Sequence, residues 1–117
     1  MTEKIELWNP GEDLAAFDGQ RRKALAGDDY LTVARIVYQP GESNDFHRHD
    51  GTSQALLVVK GEFTVRTRHA DGSVTEKTLR EGEAALVGNM EFEQFENTGD
   101  EPALVFQVLQ PGAPVLR

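Results

Sequence analysis

The sequence predicts an all-β fold that closes into a sandwich or barrel, and three observations support this. The apolar segments are short and rich in Val, Leu, Ile and Phe. Only one stretch, GEDLAAF at 11–17, has a helical composition. Glycine-containing turns punctuate the chain at 39–42, 60–62, 70–73, 80–83 and 97–102. Short strands at this spacing are typical of closed all-β folds, which leave no long strand edge exposed.

Between these turns the pattern predicts eight strands. In chain order they span 23–25, 31–38, 54–59, 62–68, 74–79, 84–87, 91–96 and 104–109. The two runs that flank ADGS form a hairpin, with His69 exposed just before its turn. The run ALLVVK at 55–60 is apolar on both strand faces, whereas a strand with one face in water alternates. We therefore expect one face inside the barrel and the other against a second layer, such as the partner in a homodimer.

Composition excludes several classes of function. The length of 117 residues predicts one domain, 1–117, which begins with an N-terminal arm over 1–20. A chain of this length buries roughly 65% of its unfolded surface. Twenty acidic and twelve basic side chains give a net charge of −8, which repels nucleic acid and anionic membranes. The absence of cysteine excludes disulfides and thiolate metal sites. Without a signal-peptide pattern or a membrane-length apolar run, we expect a cytoplasmic protein.

Two of the three histidines lie in the segment GESNDFHRHDGTSQALLVVKG, residues 41–61. Because alternate residues of an extended strand point the same way, His47 and His49 can present both imidazoles to one metal ion. Two exposed loop histidines would have the same spacing, so the neighbouring residues decide between these interpretations. Gln54 offers an amide oxygen five residues after His49, although a strand-start glutamine bonded to a neighbour would look the same.

The spacing over 41–61 resembles the first motif of the cupin family. That motif runs Gly, five residues, His-x-His, three or four residues, Glu, six residues, Gly. Gly41, Gly61 and the two histidines occupy family positions, and Gln54 replaces the glutamate. The resemblance implies a small single-domain cupin, whose fold is a cupin-type β-barrel, also called a double-stranded β-helix or jelly roll.

The second cupin motif runs Gly, five residues, Pro-x-Gly, two residues, His, three residues, Asn, and it can be laid on residues 82–97 without a gap. Gly82 and Asn97 fit this degenerate copy. The usual Pro, Gly and His positions hold, in order, Gly88, Met90 and Glu93.

The family's metal ligands are two histidines and a glutamate from the first motif and a histidine from the second. Carried over, the resemblance implies a metal set of His47, His49, Gln54 and Glu93, in which the carboxylate has changed places and the ligand charge stays at −1. Glu91 and Glu96 compete with Glu93 in the segment MEFEQFEN, and the motif register selects Glu93. If Glu93 faced solvent, only the weaker set from the first motif would remain.

Two imidazoles and one carboxylate suit a divalent ion such as Fe, Mn, Ni or Zn. With Zn or Mn, we expect non-redox isomerase, cyclase or lyase chemistry on a small organic substrate. With Fe(II), the same ligands approximate the two-His-one-carboxylate arrangement of dioxygenases. A non-catalytic cupin that binds a small ligand or serves as a scaffold is the alternative, because fold does not fix function.

Overall fold

The computed structural model of the chain describes residues 8–49, 52–88, 91–110 and 115–116, with the backbone alone at 49, 115 and 116. These residues form one short helix, α1 (Pro10–Ala15), and ten strands. The strands are β1 (Arg22–Gly27), β2 (Thr32–Tyr38), β3 (Arg48–His49), β4 (Gln54–Lys60), β5 (Phe63–Arg68), β6 (Val74–Leu79), β7 (Ala84–Val87), β8 (Phe92–Glu96), β9 (Ala103–Leu109) and β10 (Val115–Leu116).

Eight of the ten strands build two antiparallel sheets, which confirms the predicted all-β jelly-roll architecture. The larger sheet has the order β1-β2-β9-β4-β7, and the smaller has the order β6-β5-β8. All eight predicted strands are present within one or two residues of their predicted ends. The sequence analysis missed β3 and β10, which pair with each other. Each has only two residues, too few to show a period-two pattern.

The core lies between the inner faces of the two sheets. On β4, Leu56 and Val58 are buried while Leu57 is 38% exposed, so this strand alternates as a two-sided strand should. Phe63 on β5 packs edge-on against Tyr38, with ring centroids 5.2 Å apart, and contacts Phe95 at 5.4 Å. Aromatic contacts across facing sheets fix their separation, because each ring buries a large apolar area.

The last residues of the two motifs, Gly61 and Asn97, have structural roles. Gly61 forms the turn between β4 and β5 with φ +86°, and a Cβ there would lie 2.8 Å from the carbonyl oxygen of Pro102. Asn97 is 1% exposed, and its Nδ2 donates to the carbonyl oxygens of Tyr38 and Glu101 at 2.8 and 2.7 Å. Glycine is needed in such a tight left-handed turn, and asparagine satisfies buried backbone acceptors.

Trp8 and helix α1 pack on the outer face of the larger sheet, where Trp8 stacks on Phe106 and Asp13, in this helix, pairs with Arg35 on β2. Helix α1 begins after Asn9, whose side chain accepts a hydrogen bond from the Glu12 N–H. Arg35 is 1% exposed, and its Nε lies 3.0 Å from Asp13 Oδ2. Arg35 therefore packs outside the barrel and does not point toward the candidate site. At six residues, the helix found in the described part of the chain is too short to cross a membrane.

Candidate metal centre

Two side chains from the two motifs meet at one end of the barrel. Glu93 follows the inward alternation of β8, and it is 1% exposed. His47 precedes β3, and its backbone exchanges two hydrogen bonds with Glu93, at 3.0 and 2.8 Å. This bridge places the side chains together: His47 Nε2 lies 3.6 Å from Glu93 Oε1. The structure thus brings together the first-motif histidine and the second-motif glutamate.

The ring orientation of His47 is set by its backbone neighbour. His47 Nδ1 lies 3.0 Å from the carbonyl oxygen of Asp45. A carbonyl oxygen only accepts, so Nδ1 carries the proton, and in the neutral ring Nε2 keeps its lone pair. The ring also packs edge-on against Phe95, with centroids 6.1 Å apart. Metal-binding histidines commonly donate from their second ring nitrogen in this way, which fixes the tautomer and aims the other nitrogen at the ion.

Glu93 is a carboxyl group with little to stabilise its charge. Burial, together with the nearby Glu91 carboxylate, raises the pKa of Glu93 to about 8. Among the described residues, its Oε2 has no hydrogen-bond partner although it is buried. A buried, unpartnered carboxylate oxygen is costly, and a bound cation is one way to satisfy it. The donor atoms therefore fit a divalent ion between His47 and Glu93.

Gln54 is also at the site, and its amide is fully engaged. Gln54 is 3% exposed, and its Nε2 donates to Glu93 Oε1. Its Oε1 accepts a hydrogen bond from Gln107 Nε2 at 2.7 Å. In turn, Gln107 Oε1 accepts from Arg22 Nε at 3.0 Å. The position of Gln54 beside the carboxylate agrees with the motif, whereas its role as an oxygen ligand stays a prediction.

Gln107 and Arg22 were missed by the sequence analysis. The available signal was the polar residue within ALVFQVL on β9, where residues of the same parity, Ala103 and Val105, are buried. A lone amide on the inward face of an apolar strand indicates a buried polar contact, because such groups are seldom left unpaired. No comparable signal marked Arg22, which lies on an edge strand with a mostly exposed pattern.

The remaining predicted residue, His49, lies in β3, where its backbone pairs with Val115. Its side chain falls outside the described part of the structure, so its role as a ligand stays a prediction. Within the described residues, no three His, Asp or Glu side chains are grouped so as to hold a metal. The competing glutamates point elsewhere. Glu91 is exposed and accepts from the Gly88 N–H at 3.1 Å, and Glu96 pairs with Arg66 at 2.6 Å.

A narrow cleft opens beside Glu93 between the two sheets. Its lining residues are Thr52, Ser53, Gln54, Val87, Gly88, Glu93 and Leu109. The Thr52 hydroxyl is buried there, and it has no hydrogen-bond partner among the described residues. The crevice has no room for a water molecule, so it brings the buried Thr52 hydroxyl near Glu93 without forming a ligand pocket among the described residues.

Two facing antiparallel sheets with a polar site at one end are the architecture of a double-stranded β-helix. Sequence comparison shows the family to which the chain belongs. The model of the Cupin domain matches residues 34–109. This chain therefore belongs to the cupin family. The auxin-binding protein ABP19b of Prunus persica is 33% identical over 89 residues, which cover 74% of this chain and 42% of that protein. The chain thus spans less than half the length of this curated relative.

Solved structures agree with the fold. An uncharacterized conserved protein with a double-stranded beta-helix domain, from Klebsiella pneumoniae subsp. pneumoniae, superposes with a TM-score of 0.78. It is 18% identical, and the match covers 97% of this chain and 99% of that one. Oxalate oxidase superposes with a TM-score of 0.67 at 20% identity, covering 74% of this chain and 45% of its own. At these identities the likeness shows the fold alone.

Proposed function

We propose that this cupin binds one divalent metal ion between His47 and Glu93 and acts through it on a small organic substrate. The observation that carries the proposal is the pairing of His47 Nε2 with the buried carboxylate of Glu93 at 3.6 Å. The nitrogen presents a lone pair toward Glu93 Oε1, and the other oxygen of that carboxyl group, Oε2, has no hydrogen-bond partner in the described structure. A ring nitrogen and a carboxyl group that face each other in a buried site can share a divalent ion, which displaces the carboxyl proton when it binds.

The separation of the two donor atoms supports this proposal. Nitrogen and oxygen ligands bound to one zinc ion at about 2.1 Å each lie roughly 3.0 to 3.4 Å apart, depending on the angle at the metal. The observed 3.6 Å is within a few tenths of an ångström of that range. His49, through its place two residues beyond His47, would supply a second imidazole and complete a two-His-one-carboxylate set.

The chemistry of such a site follows from its ligands. A bound divalent ion supplies Lewis acidity or, as Fe(II), a centre for oxygen chemistry. The chain's own residues orient Glu93 through Gln54, keep His47 in one tautomer through the Asp45 carbonyl and bury the Glu93 carboxyl group away from bulk water. The solved oxalate oxidase structures include one in complex with the substrate analogue glycolate, which makes small organic acids the first substrate class to test. An isomerase, cyclase or lyase and a dioxygenase are both compatible with this set.

A second candidate function is metal-dependent binding of a small ligand without turnover. Beside Glu93 the described residues leave only a crevice too small for a water molecule, which gives a substrate little room to react there. The curated relatives are named as auxin-binding proteins, which favours a binding role for part of the family. Turnover of small organic acids, measured under aerobic and strictly anaerobic conditions, separates the three possibilities. Turnover that needs oxygen indicates a dioxygenase, turnover without oxygen indicates an isomerase, cyclase or lyase, and no turnover indicates ligand binding alone.

The first experiment is metal binding by the chain stripped of metal. Titration with Mn²⁺, Zn²⁺ and, under nitrogen, Fe²⁺ should give one ion per chain, and Glu93→Ala should abolish tight binding. Glu91→Ala is the matched control, because Glu91 has the same charge but is exposed and bonded to Gly88. If the wild-type chain binds no ion, or if both variants bind equally well, the proposal fails.

We also propose that two copies of the chain pair through the outer face of the larger sheet. On that face Ala55 lies between Val108 on β9 and Leu86 on β7 in the strand register. Leu86 is 75% exposed and Leu57 is 38% exposed. A row of apolar side chains across adjacent strands is the surface that a second copy would cover.

A further inference from the structure

We propose that a directional hydrogen-bond relay positions the Glu93 carboxylate. Its members, from the edge of the sheet inward, are Arg22, Gln107 and Gln54. In this relay Gln54 is a positioning residue that donates its N–H to Glu93, and it does not bind a metal through its amide oxygen. The inference rests on the proposed metal site, and it assigns a role to side chains that lie around that site.

The relay is continuous across four strands. Arg22 on β1 donates from Nε to Gln107 Oε1 at 3.0 Å, and Gln107 on β9 donates from Nε2 to Gln54 Oε1 at 2.7 Å. Gln54 on β4 then donates from Nε2 to Glu93 Oε1 on β8. The last step crosses from the larger sheet to the smaller one. An edge-strand arginine is thereby connected to the carboxylate at the candidate metal centre.

The direction of the relay is fixed at its arginine end. A guanidinium group only donates hydrogen bonds, so Gln107 must turn its oxygen toward Arg22. The nitrogen of Gln107 then faces Gln54, so Gln54 accepts this hydrogen bond through its own amide oxygen. That choice leaves the Gln54 nitrogen as the group that faces Glu93. Each amide has one donor end and one acceptor end, so the orientation chosen at Arg22 propagates to the carboxylate.

An oxygen-ligand role for Gln54 conflicts with this direction. Turning the Gln54 oxygen toward a metal would place its nitrogen against the nitrogen of Gln107, two donors facing each other. Turning Gln107 as well would move the same conflict to Arg22. Gln54 and Gln107 are 3% and 5% exposed, so water has little access to relieve it. A buried donor without an acceptor is unfavourable, and the observed orientation avoids it.

The neighbours of Gln107 leave a path for the arginine. In the strand register Gln107 lies beside Ala34 on β2, and Ala34 is completely buried. Arg22 is paired with Ile36, the next inward residue along β2. The small side chain of Ala34 leaves space through which the longer Arg22 side chain reaches Gln107. A larger residue there would close this route.

The relay itself is tested by NMR of the metal-free chain. The side-chain amide signals of Gln54 and Gln107 are assigned by their loss in Gln54→Leu and Gln107→Leu. In Arg22→Met both signals should move, because the donor that orients Gln107 is gone. Arg21→Met is the matched control: Arg21 is adjacent and equally charged, but it bonds Glu42 at 3.0 Å. If Arg22→Met leaves both amide signals where Arg21→Met leaves them, the relay is wrong.

The role of Gln54 is tested by reversing the polarity with Gln107→Glu. The new carboxylate accepts from both Arg22 and Gln54, which turns the Gln54 oxygen toward Glu93. Under the relay, Co²⁺ affinity should fall about tenfold, as is usual when support of a ligand is lost, even though added negative charge alone would raise it. Unchanged or tighter Co²⁺ binding would show that the Gln54 N–H does not support Glu93 as a ligand, and it would overturn the proposal. If the wild-type chain binds no Co²⁺, the proposed function fails, and the NMR result still decides the relay.

Discussion

His47 and Glu93 are joined through both backbone and side chain: their main chains exchange two hydrogen bonds, and His47 Nε2 lies 3.6 Å from Glu93 Oε1. The pairing links the two sequence motifs, one before β3 and the other on β8. A site built on paired backbone is held more precisely than one built on independent loops. The chemistry proposed for this cupin depends on a divalent ion bound between these two side chains.

Metal binding should depend on pH through Glu93. The pKa of Glu93 is raised to about 8 by burial and by Glu91, so the carboxyl holds a proton at neutral pH that a metal ion must displace. We expect affinity to rise as pH increases toward 8 and binding at pH 7 to release about one proton. Calorimetry in buffers of different ionisation enthalpy measures this release. Binding without proton release would show that Glu93 is not displaced by the ion.

The stability of the metal-free chain should fall as pH rises. The folded chain has a Glu93 pKa near 8, against 4.5 for an unperturbed glutamate. Between these values the folded state holds a proton that the unfolded state lacks, so its free energy of unfolding decreases by up to about 1.4 kcal/mol per pH unit from this group. The contribution is complete below the unfolded pKa and is lost as pH approaches 8.

Glu93→Gln removes the titrating group and keeps an acceptor for Gln54, so its stability should change less over pH 5 to 8. Urea unfolding in the presence of a chelator measures the difference between the two chains. Glu91→Gln, which removes only the neighbouring charge, should keep most of the slope. Parallel stability curves for wild type and Glu93→Gln would contradict the account.

The sequence was informative wherever a repeat or motif extended over many residues. Period-two patterns located the strands, and the spacing from Gly82 to Asn97 selected Glu93 over Glu91 and Glu96, which the structure leaves exposed or turned outward. Strand β3 was not predicted, because its two residues are too few to show the period-two alternation of a strand.

The orientation of the Gln54 amide could not be predicted from its own neighbourhood. It depends on Gln107, which lies 53 residues further along the chain on the neighbouring strand β9, and ultimately on Arg22. A sequence motif specifies which side chains meet, whereas the direction of their hydrogen bonds depends on partners from distant strands. For this reason Gln54 could be placed at the site, while its donor role emerged only from the three-dimensional contacts.

Dimer formation should depend on the apolar outer face of the larger sheet. Leu86→Glu places a charge at its most exposed large apolar residue, and we expect the variant to be monomeric at micromolar concentration if the wild-type chain is dimeric. Val74→Glu is the control, because Val74 is 50% exposed but lies on β6 in the other sheet. Light scattering coupled to size-exclusion chromatography measures the masses. A wild-type monomer, or a dimer that survives Leu86→Glu, would contradict this pairing.

The close approach at Gly61 should make it more sensitive to substitution than another left-handed glycine. Gly61→Ala combines φ +86° with a Cβ 2.8 Å from the Pro102 carbonyl oxygen, and we expect it to cost about 2 to 4 kcal/mol of unfolding free energy. Gly72→Ala has φ +87° but open space around its Cβ, so it should cost only about 1 kcal/mol. Equal losses in urea unfolding would show that the contact with Pro102 is unimportant.

The central claim is that a divalent ion lies between His47 and Glu93. Anomalous diffraction from crystals of the Mn²⁺-loaded chain, recorded near the manganese absorption edge, tests it most directly. We expect one strong peak at about 2.2 Å from both His47 Nε2 and a Glu93 carboxylate oxygen. A peak that contacts neither residue, or no peak at this end of the barrel, would contradict it.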